Sequence, residues 1–274
     1  FIKKNRDTIF IPYLWESHIG EAKNWKFNEH KKFKKILTWD TKLIERYPEK
    51  YGLLNLQAGP LHFFKPESFK DNKFFSQRSL FISSIANAKG HIREDAGYSS
   101  RIEIANWYGH QQPDEFSLFG GGWKDVLEGS QDNKYNKKLP SNIQKHISNV
   151  YYGTVEDKRS VIGNSKFYLC IENCIDQTGY ITEKIFDALL NGAVPVYLGA
   201  TNISKFIPKE CYVNLRDFNG LTEKLHDFLT SIDESRWNLM IESGRAFIKG
   251  NKGDIDRFLP SGLAKQLYAI KNSV

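Results

Sequence analysis

The sequence predicts an α/β protein built on parallel sheet, and three observations carry that prediction. Residues 167–171 form an apolar run with the length and aliphatic-aromatic content of a buried strand, and residues 194–198 form a second. A helix-length gap separates the two runs, which is the spacing of a βαβ unit with parallel strands and a right-handed crossover. The same alternation of short strand and helix patterns recurs along the chain, and 274 residues with 40% hydrophobic content suffice for one large or two moderate cores.

Taken in order, residues 8–15 read as a strand, 29–35 as a helix, 36–39 as a strand and 41–47 as a helix. This first block ends near Gly59-Pro60. A second set begins at Arg78, with a strand at 79–85, a helix at 98–107 and a strand at 116–119. The βαβ unit follows, its helix running from about residue 181 to 190, where Asn191-Gly192 is a stop signal. Residues 211–215 read as a further strand, and 221–232, 234–248 and 255–270 as helices, the last after the break at Asn251-Lys252-Gly253. No repeat and no low-complexity linker interrupts the chain.

The richest stretch is 166–199, where strand, polar loop, helix and strand succeed one another. In parallel sheets ligands bind outside the carboxyl ends of the strands, the position of Glu172, Asn173 and the loop to Tyr180. Glu183 and Lys184 fall three and four residues after Tyr180, so helical spacing would gather all three on the exposed side of the first turn. A helix start offers free N–H groups and a positive dipole end suited to a diphosphate. Lys184 adds a full positive charge, while Glu183 is an acceptor for sugar or ribose hydroxyls. By spacing alone, an ordinary solvated Glu-Lys face is the more common outcome.

Composition narrows the classes. No window of about eighteen uncharged apolar residues exists, so no membrane-spanning helix is expected, and no leader pattern is seen. The chain begins at Phe1, which suggests a trimmed protein. Three cysteines favour a reducing compartment over a disulfide framework. Cys170 and Cys174 have no His or Cys at metal-ligand spacing, which argues against zinc, and Cys170 reads as a small core residue. The net charge of +7 suits an anionic ligand, with nucleic acid or an anionic surface as other readings. The dense basic patch at 30–35 is the candidate for peripheral membrane contact.

The strings Ile171-Glu172-Asn173, Tyr180-Ile181-Thr182-Glu183-Lys184 and Val194-Pro195-Val196 with Gly199 resemble the signature of the α1,3/4-fucosyltransferases, glycosyltransferase family 10. The resemblance extends to residues 116–123, where Ser117 stands for the usual Asp, and to Tyr152-Gly153 with Asp157-Lys158. It extends also to residues 98–104, and to Trp15-Glu16-Ser17-His18 with Asn24-Trp25, His30, Phe33 and Thr38-Trp39, where His18 replaces the expected Pro. It implies a GT-B architecture of two Rossmann-like domains facing a cleft, with the N-terminal one apparently shortened. The corresponding domains are 1–64 on the acceptor side, 65–254 for GDP-fucose, and a helix at 255–274 packing back on the first.

The resemblance further implies inverting transfer of L-fucose from GDP-β-L-fucose to a glycan hydroxyl, α1,3 to N-acetylglucosamine or glucose. Glu16 inherits the role of general base, and Arg101 that of a diphosphate contact, with Arg93 as a rival. Asn173, Tyr180, Glu183 and Lys184 inherit donor binding. No metal-ligand set is expected and no cofactor is required, a divalent ion being at most stimulatory, because no Asp-x-Asp pair sits near a strand end. The partners are a nucleotide sugar and an oligosaccharide acceptor, not nucleic acid. The expected location is cytoplasmic or peripheral to a membrane, or the Golgi lumen if an anchor was removed. Two other readings stay open: a GT-B transferase using another nucleotide sugar, and a non-catalytic glycan- or nucleic-acid-binding relative.

Overall fold

Two parallel sheets organise the computed structural model, which describes residues 11–54, 74–88, 95–128, 140–250, 258, 264–265 and 267–269. The first sheet holds β1 (Tyr13–Leu14), β2 (Ile36–Thr38) and β3 (Tyr51–Leu53) in that order, with α1 (Phe27–His30) and α2 (Thr41–Arg46) between them. The second holds β4 (Leu80–Ile85), β5 (Phe116–Phe119), β6 (Ser165–Ile171), β7 (Val194–Leu198) and β8 (Val213–Asn214). Its helices are α3 (Tyr98–Gln111), α4 (Trp123–Glu128), α5 (Ser141–Val150), α6 (Lys158–Gly163), α7 (Glu183–Leu190), α8 (Thr222–Thr230) and α9 (Glu234–Lys249).

The order of the second sheet is β5-β4-β6-β7-β8, all parallel. The chain enters at β4, steps outward to β5, then returns to the other side of β4 for β6. The direction of winding therefore reverses between β4 and β6, and loops leave that point in opposite directions, opening a crevice at the carboxyl ends.

Side-chain alternation along the central strands explains why both faces are covered. Phe167, Leu169 and Ile171 join Val194, Val196 and Leu198 in a core shared with α3, α5, α8 and the first half of α9. Tyr168, Cys170 and Tyr197 point the other way, into a core with Ile185, Phe186 and Leu189 of α7 and Ile248 of α9. Phe167 is fully buried, so Phe167→Ala would cost about 3–5 kcal/mol. Phe258 packs on this second core, its ring 4.8 Å from Phe186. Ala264, Lys265 and residues 267–269 are helical and exposed; most of the expected helix at 255–270 lies outside the described residues.

Several elements differ from expectation. Within the described residues the first strand is only Tyr13–Leu14, and Trp15 is exposed because the chain already turns there. The helix expected at 29–35 is a single turn, Phe27–His30. His30 does not belong to an exposed basic patch: it is buried, its ring nitrogens 2.8 Å from Tyr51 Oη and 2.7 Å from the Asn24 carbonyl. Strand β3 and helices α4 to α6 were not expected. No helix among the described residues is long and apolar enough to cross a membrane.

Candidate active site

The centre of the site is the junction of β6 and α7. Glu172, one residue past β6, is fully buried, and its carboxylate is met on every side. It accepts from Thr182 N at 2.7 Å, Thr182 Oγ1 at 2.6 Å and Lys184 Nζ at 2.9 Å. A buried carboxylate is tolerated only when paired and hydrogen-bonded, and here it ties the strand end to the start of α7. Gly199, at the end of β7, is part of the same arrangement: a Cβ there would lie 2.5 Å from Glu172 Cγ and 2.3 Å from Tyr197 Oη.

Lys184 is thereby fixed. Its ammonium also lies 2.8 Å from Thr182 Oγ1 and 3.7 Å from Glu183 Oε1. Burial works against its charge, yet Glu172 and Glu183 together hold its pKa above the ordinary value. Lys184 is a cation at neutral pH, with one edge open to solvent.

Arg101, on the first turn of α3, is the second fixed cation. It is buried and donates from Nη2 to the Ile171 carbonyl at 2.6 Å and to Asn173 Oδ1 at 3.1 Å. Its guanidinium lies over the Tyr98 ring, 4.9 Å from the centroid. Burial lowers its pKa, while the neighbouring Tyr98 and Glu172 act in the opposite direction. The approach of α3 to β6 requires Gly97, where a Cβ would lie 2.1 Å from the Glu172 carbonyl.

Arg101, Asn173, Glu183 and Lys184 line one cavity of about 300 Å³, together with Tyr98 and residues 84–87 at the end of β4. It sits at the reversal between β4 and β6, where parallel sheets bind ligands. Four of the six expected site residues thus share one concavity. Arg93 lies outside the described residues.

Tyr180 is placed differently from expectation. Helix α7 begins at Glu183 with Thr182 in extended conformation before it, so Tyr180 does not share the helical spacing with Glu183 and Lys184. It is buried, packs on Trp39 at 4.8 Å between centroids, and donates its hydroxyl to Glu16 Oε2 at 3.2 Å. Burial and the nearby Glu172 and Glu16 charges raise its pKa far above the ordinary value, so it remains a donor.

Glu16 therefore reaches the second block through Tyr180. Its backbone carbonyl accepts from Trp25 Nε1 at 2.9 Å, and Gly20 lies so close that a Cβ there would be 2.7 Å from Glu16 Oε2. Burial raises the Tyr98 pKa, and the charges of Arg101, Lys184 and Glu16 all reach its hydroxyl. The two blocks also meet where Asn202 Nδ2 donates to Thr41 Oγ1 at 3.2 Å and Thr41 N donates to the Thr178 carbonyl at 3.4 Å.

The family model described as Glycosyltransferase family 10 (fucosyltransferase) C-term matches residues 127–240, which contain β6, α7 and the Glu172–Lys184 anchor. Over this stretch the chain is similar to glycosyltransferase family 10. Among its relatives, the 4-galactosyl-N-acetylglucosaminide 3-alpha-L-fucosyltransferase 9 of Mus musculus is 37% identical over 107 residues, 37% of this chain and 29% of that protein. The Alpha-(1,3)-fucosyltransferase FucT of Helicobacter pylori is 33% identical over 79 residues, 29% of this chain and 16% of that protein. The chain matches less than a third of the length of these curated relatives.

Solved structures bear on the fold. An α1,3-fucosyltransferase crystallised with GDP-fucose superposes with a TM-score of 0.53 at 18% identity, covering 86% of this chain and 66% of that one. Anabaena Alr3699/HepE, solved with UDP-glucose, gives 0.56 at 12% identity over 97% of this chain and 72% of that one. The fold is GT-B, with a three-stranded first sheet and a five-stranded second.

Other segments that resemble family motifs turn out to shape the site without lining it. Asp157 caps α6 by accepting from Arg159 N at 3.0 Å, and Lys158 pairs with Asp187 of α7 at 2.5 Å. Ser117 is buried within β5, paired in register with Ser83. Trp123 Nε1 donates to the Ala86 carbonyl at 2.6 Å, and Gly121 N to Asn87 Oδ1 at 2.9 Å, which sets the cavity wall after β4. Glu172 is the residue whose importance spacing did not show; an acid at a strand end followed ten residues later by Thr-x-Lys at a helix start is the signal that could have found it.

Proposed function

We propose that the chain transfers L-fucose from GDP-β-L-fucose to a hydroxyl of a glycan acceptor, with inversion at the anomeric carbon and α1,3 linkage to N-acetylglucosamine or glucose. The observation that carries this reading is the convergence of Arg101 and Lys184 on one cavity at the β4–β6 reversal of a family 10 domain. The names of the fucosyltransferase relatives and the GDP-fucose in a solved neighbour support the donor.

The chemistry assigns each group a task. As the bond from the anomeric carbon to the β-phosphate oxygen breaks, negative charge grows on GDP, and the ring becomes oxocarbenium-like. Arg101 and Lys184, already fixed by Asn173 and Glu172, offset that charge without reorganising, the condition under which electrostatic stabilisation is largest. Glu16 takes the proton of the attacking acceptor hydroxyl, a contribution of roughly 10²–10⁴-fold. Tyr180 orients the Glu16 carboxylate, and Asn173 and Glu183 present acceptors to phosphate-adjacent or ribose hydroxyls. No divalent ion is assigned a step.

In this reading residues 1–64 serve the acceptor and 65–254 the donor. Turnover assayed as GDP release from GDP-fucose with a lactosamine acceptor tests it. Glu16→Gln is expected to lower turnover by about 100-fold or more while GDP-fucose binding is retained. Near-normal turnover in that variant would remove Glu16 from the reaction.

A further inference from the structure

Beside Glu16, three side chains from distant parts of the chain meet: His18, Asp95 and Cys174, whose ligand atoms all lie within 4.8 Å of one another. The His18 Nε2 to Asp95 Oδ2 separation is 2.7 Å. Sequence spacing, which argued against zinc at Cys174, could not show this, because the partners are 79 and 156 positions away.

The support around the group is rigid on one side. Ile175 N donates to the Asp95 carbonyl at 2.9 Å, Gly97 N to the Asn173 carbonyl at 3.2 Å, and Ala96 forms an antiparallel bridge with Cys174. Asp95 and Cys174 are therefore held together on the donor side of the molecule. His18 comes from the other block, its ring edge-on to Trp25 at 6.3 Å. Asp40, at the start of α2, is close enough to act on His18 electrostatically, so the surroundings are rich in negative charge. Cys174 is fully buried, whereas His18 and Asp95 keep 23% and 24% of their side-chain surface open, which leaves a route for an ion and a position for water.

We propose that His18, Asp95 and Cys174 bind a thiophilic divalent cation of the Zn²⁺ class and so fasten the loop carrying Glu16 to the donor-side loop carrying Asn173. The ligand chemistry selects the ion: sulfur and imidazole nitrogen suit Zn²⁺ and Co²⁺ and disfavour Mg²⁺ and Ca²⁺. Bonds of about 2.0–2.3 Å to N, O and S require the His18–Asp95 pair, 2.7 Å apart, to open and the wider separations, up to 4.8 Å, to close around the ion. Three protein ligands leave a fourth position for water. Binding releases the Cys174 thiol proton to solvent and moves the imidazole proton to Nδ1, freeing Nε2 for the metal. The site is distinct from the donor cavity, and its effect is on how the two blocks are held.

The test is titration of Co²⁺ into the purified, chelator-treated chain, followed by absorption. Expected is one cobalt ion per chain with a thiolate-to-cobalt charge-transfer band, displaced by Zn²⁺ and unaffected by Mg²⁺. His18→Ala, a change at a partly exposed side chain whose folding is checked by circular dichroism, should weaken Co²⁺ by at least about tenfold, since even outer-sphere partners of a metal are worth 10–100-fold. Cys174→Ser should abolish the band, and Cys211→Ala should leave it intact. Cobalt binding without a thiolate band, unchanged affinity in His18→Ala, or a band that follows Cys211 would overturn the proposal and leave His18–Asp95 as a plain ion pair over a buried thiol.

Discussion

Glu172 turns a polar loop into a fixed object. Its charge answers Lys184 and both Thr182 donors, so Glu172→Gln keeps the shape but removes the charge that holds Lys184 in place. The expected outcome is a stability loss of about 1–3 kcal/mol in denaturant unfolding, together with weaker GDP binding. Tyr180→Phe probes the other side of the site: the ring keeps its packing on Trp39, and only the hydrogen bond to Glu16 is lost. Steady-state kinetics should show kcat falling by roughly tenfold with KM for GDP-fucose little changed. A change confined to KM would mean that Tyr180 serves the donor directly. At this scale Asn173, Glu183 and Lys184 were legible because strand end and helix start are local signals. Tyr180 was not, since the three- and four-residue spacing holds only inside a helix and α7 starts after it.

Between elements, the Lys158–Asp187 pair joins α6 to α7 and so steadies the helix that presents Glu183 and Lys184. Burial raises the Asp187 pKa above its ordinary value of 3.8, and Lys158 pulls it back. In Lys158→Met that opposing pull is gone, so the folded-state pKa rises further while the unfolded value stays. The variant is therefore expected to lose stability relative to the parent as pH rises through the parent's raised folded-state value, and to match it well below, where Asp187 is protonated in both folded proteins. Thermal unfolding measured at about pH 4 and pH 7 checks this. An equal loss at both would mean that Lys158 acts through packing. The strands of the second sheet were readable because both faces are covered and the runs are almost wholly apolar. Helices α4 and α6 escaped notice because each has six residues, too short for a periodic stripe, whereas α5 does carry Ile143, Ile147 and Val150 at helical spacing.

At the scale of the whole molecule, the proposed reaction requires the small first block to be held against the larger second one. Gly179 sits at that joint with φ of +87°, and a Cβ there would lie 2.2 Å from the Trp39 carbonyl. Gly179→Ala should cost about 1–3 kcal/mol from backbone strain alone and push the blocks apart. Turnover should then fall while GDP affinity is retained, because the donor cavity is lined by the second block only. The GT-B plan was legible through motif resemblance more than through the first block itself, whose strands are two or three residues long and carry little periodic signal.

In the proposed reaction Arg101 and Lys184 hold a nucleoside diphosphate in the β4–β6 cavity. Isothermal titration of GDP into the parent chain and into Lys184→Ala, with folding of the variant verified by circular dichroism, tests it most directly. GDP should bind the parent, and bind the variant about 10–100-fold more weakly, the loss of one charge-assisted contact of about 1.5–3 kcal/mol. Equal GDP affinity in the two chains would contradict it and place the diphosphate elsewhere.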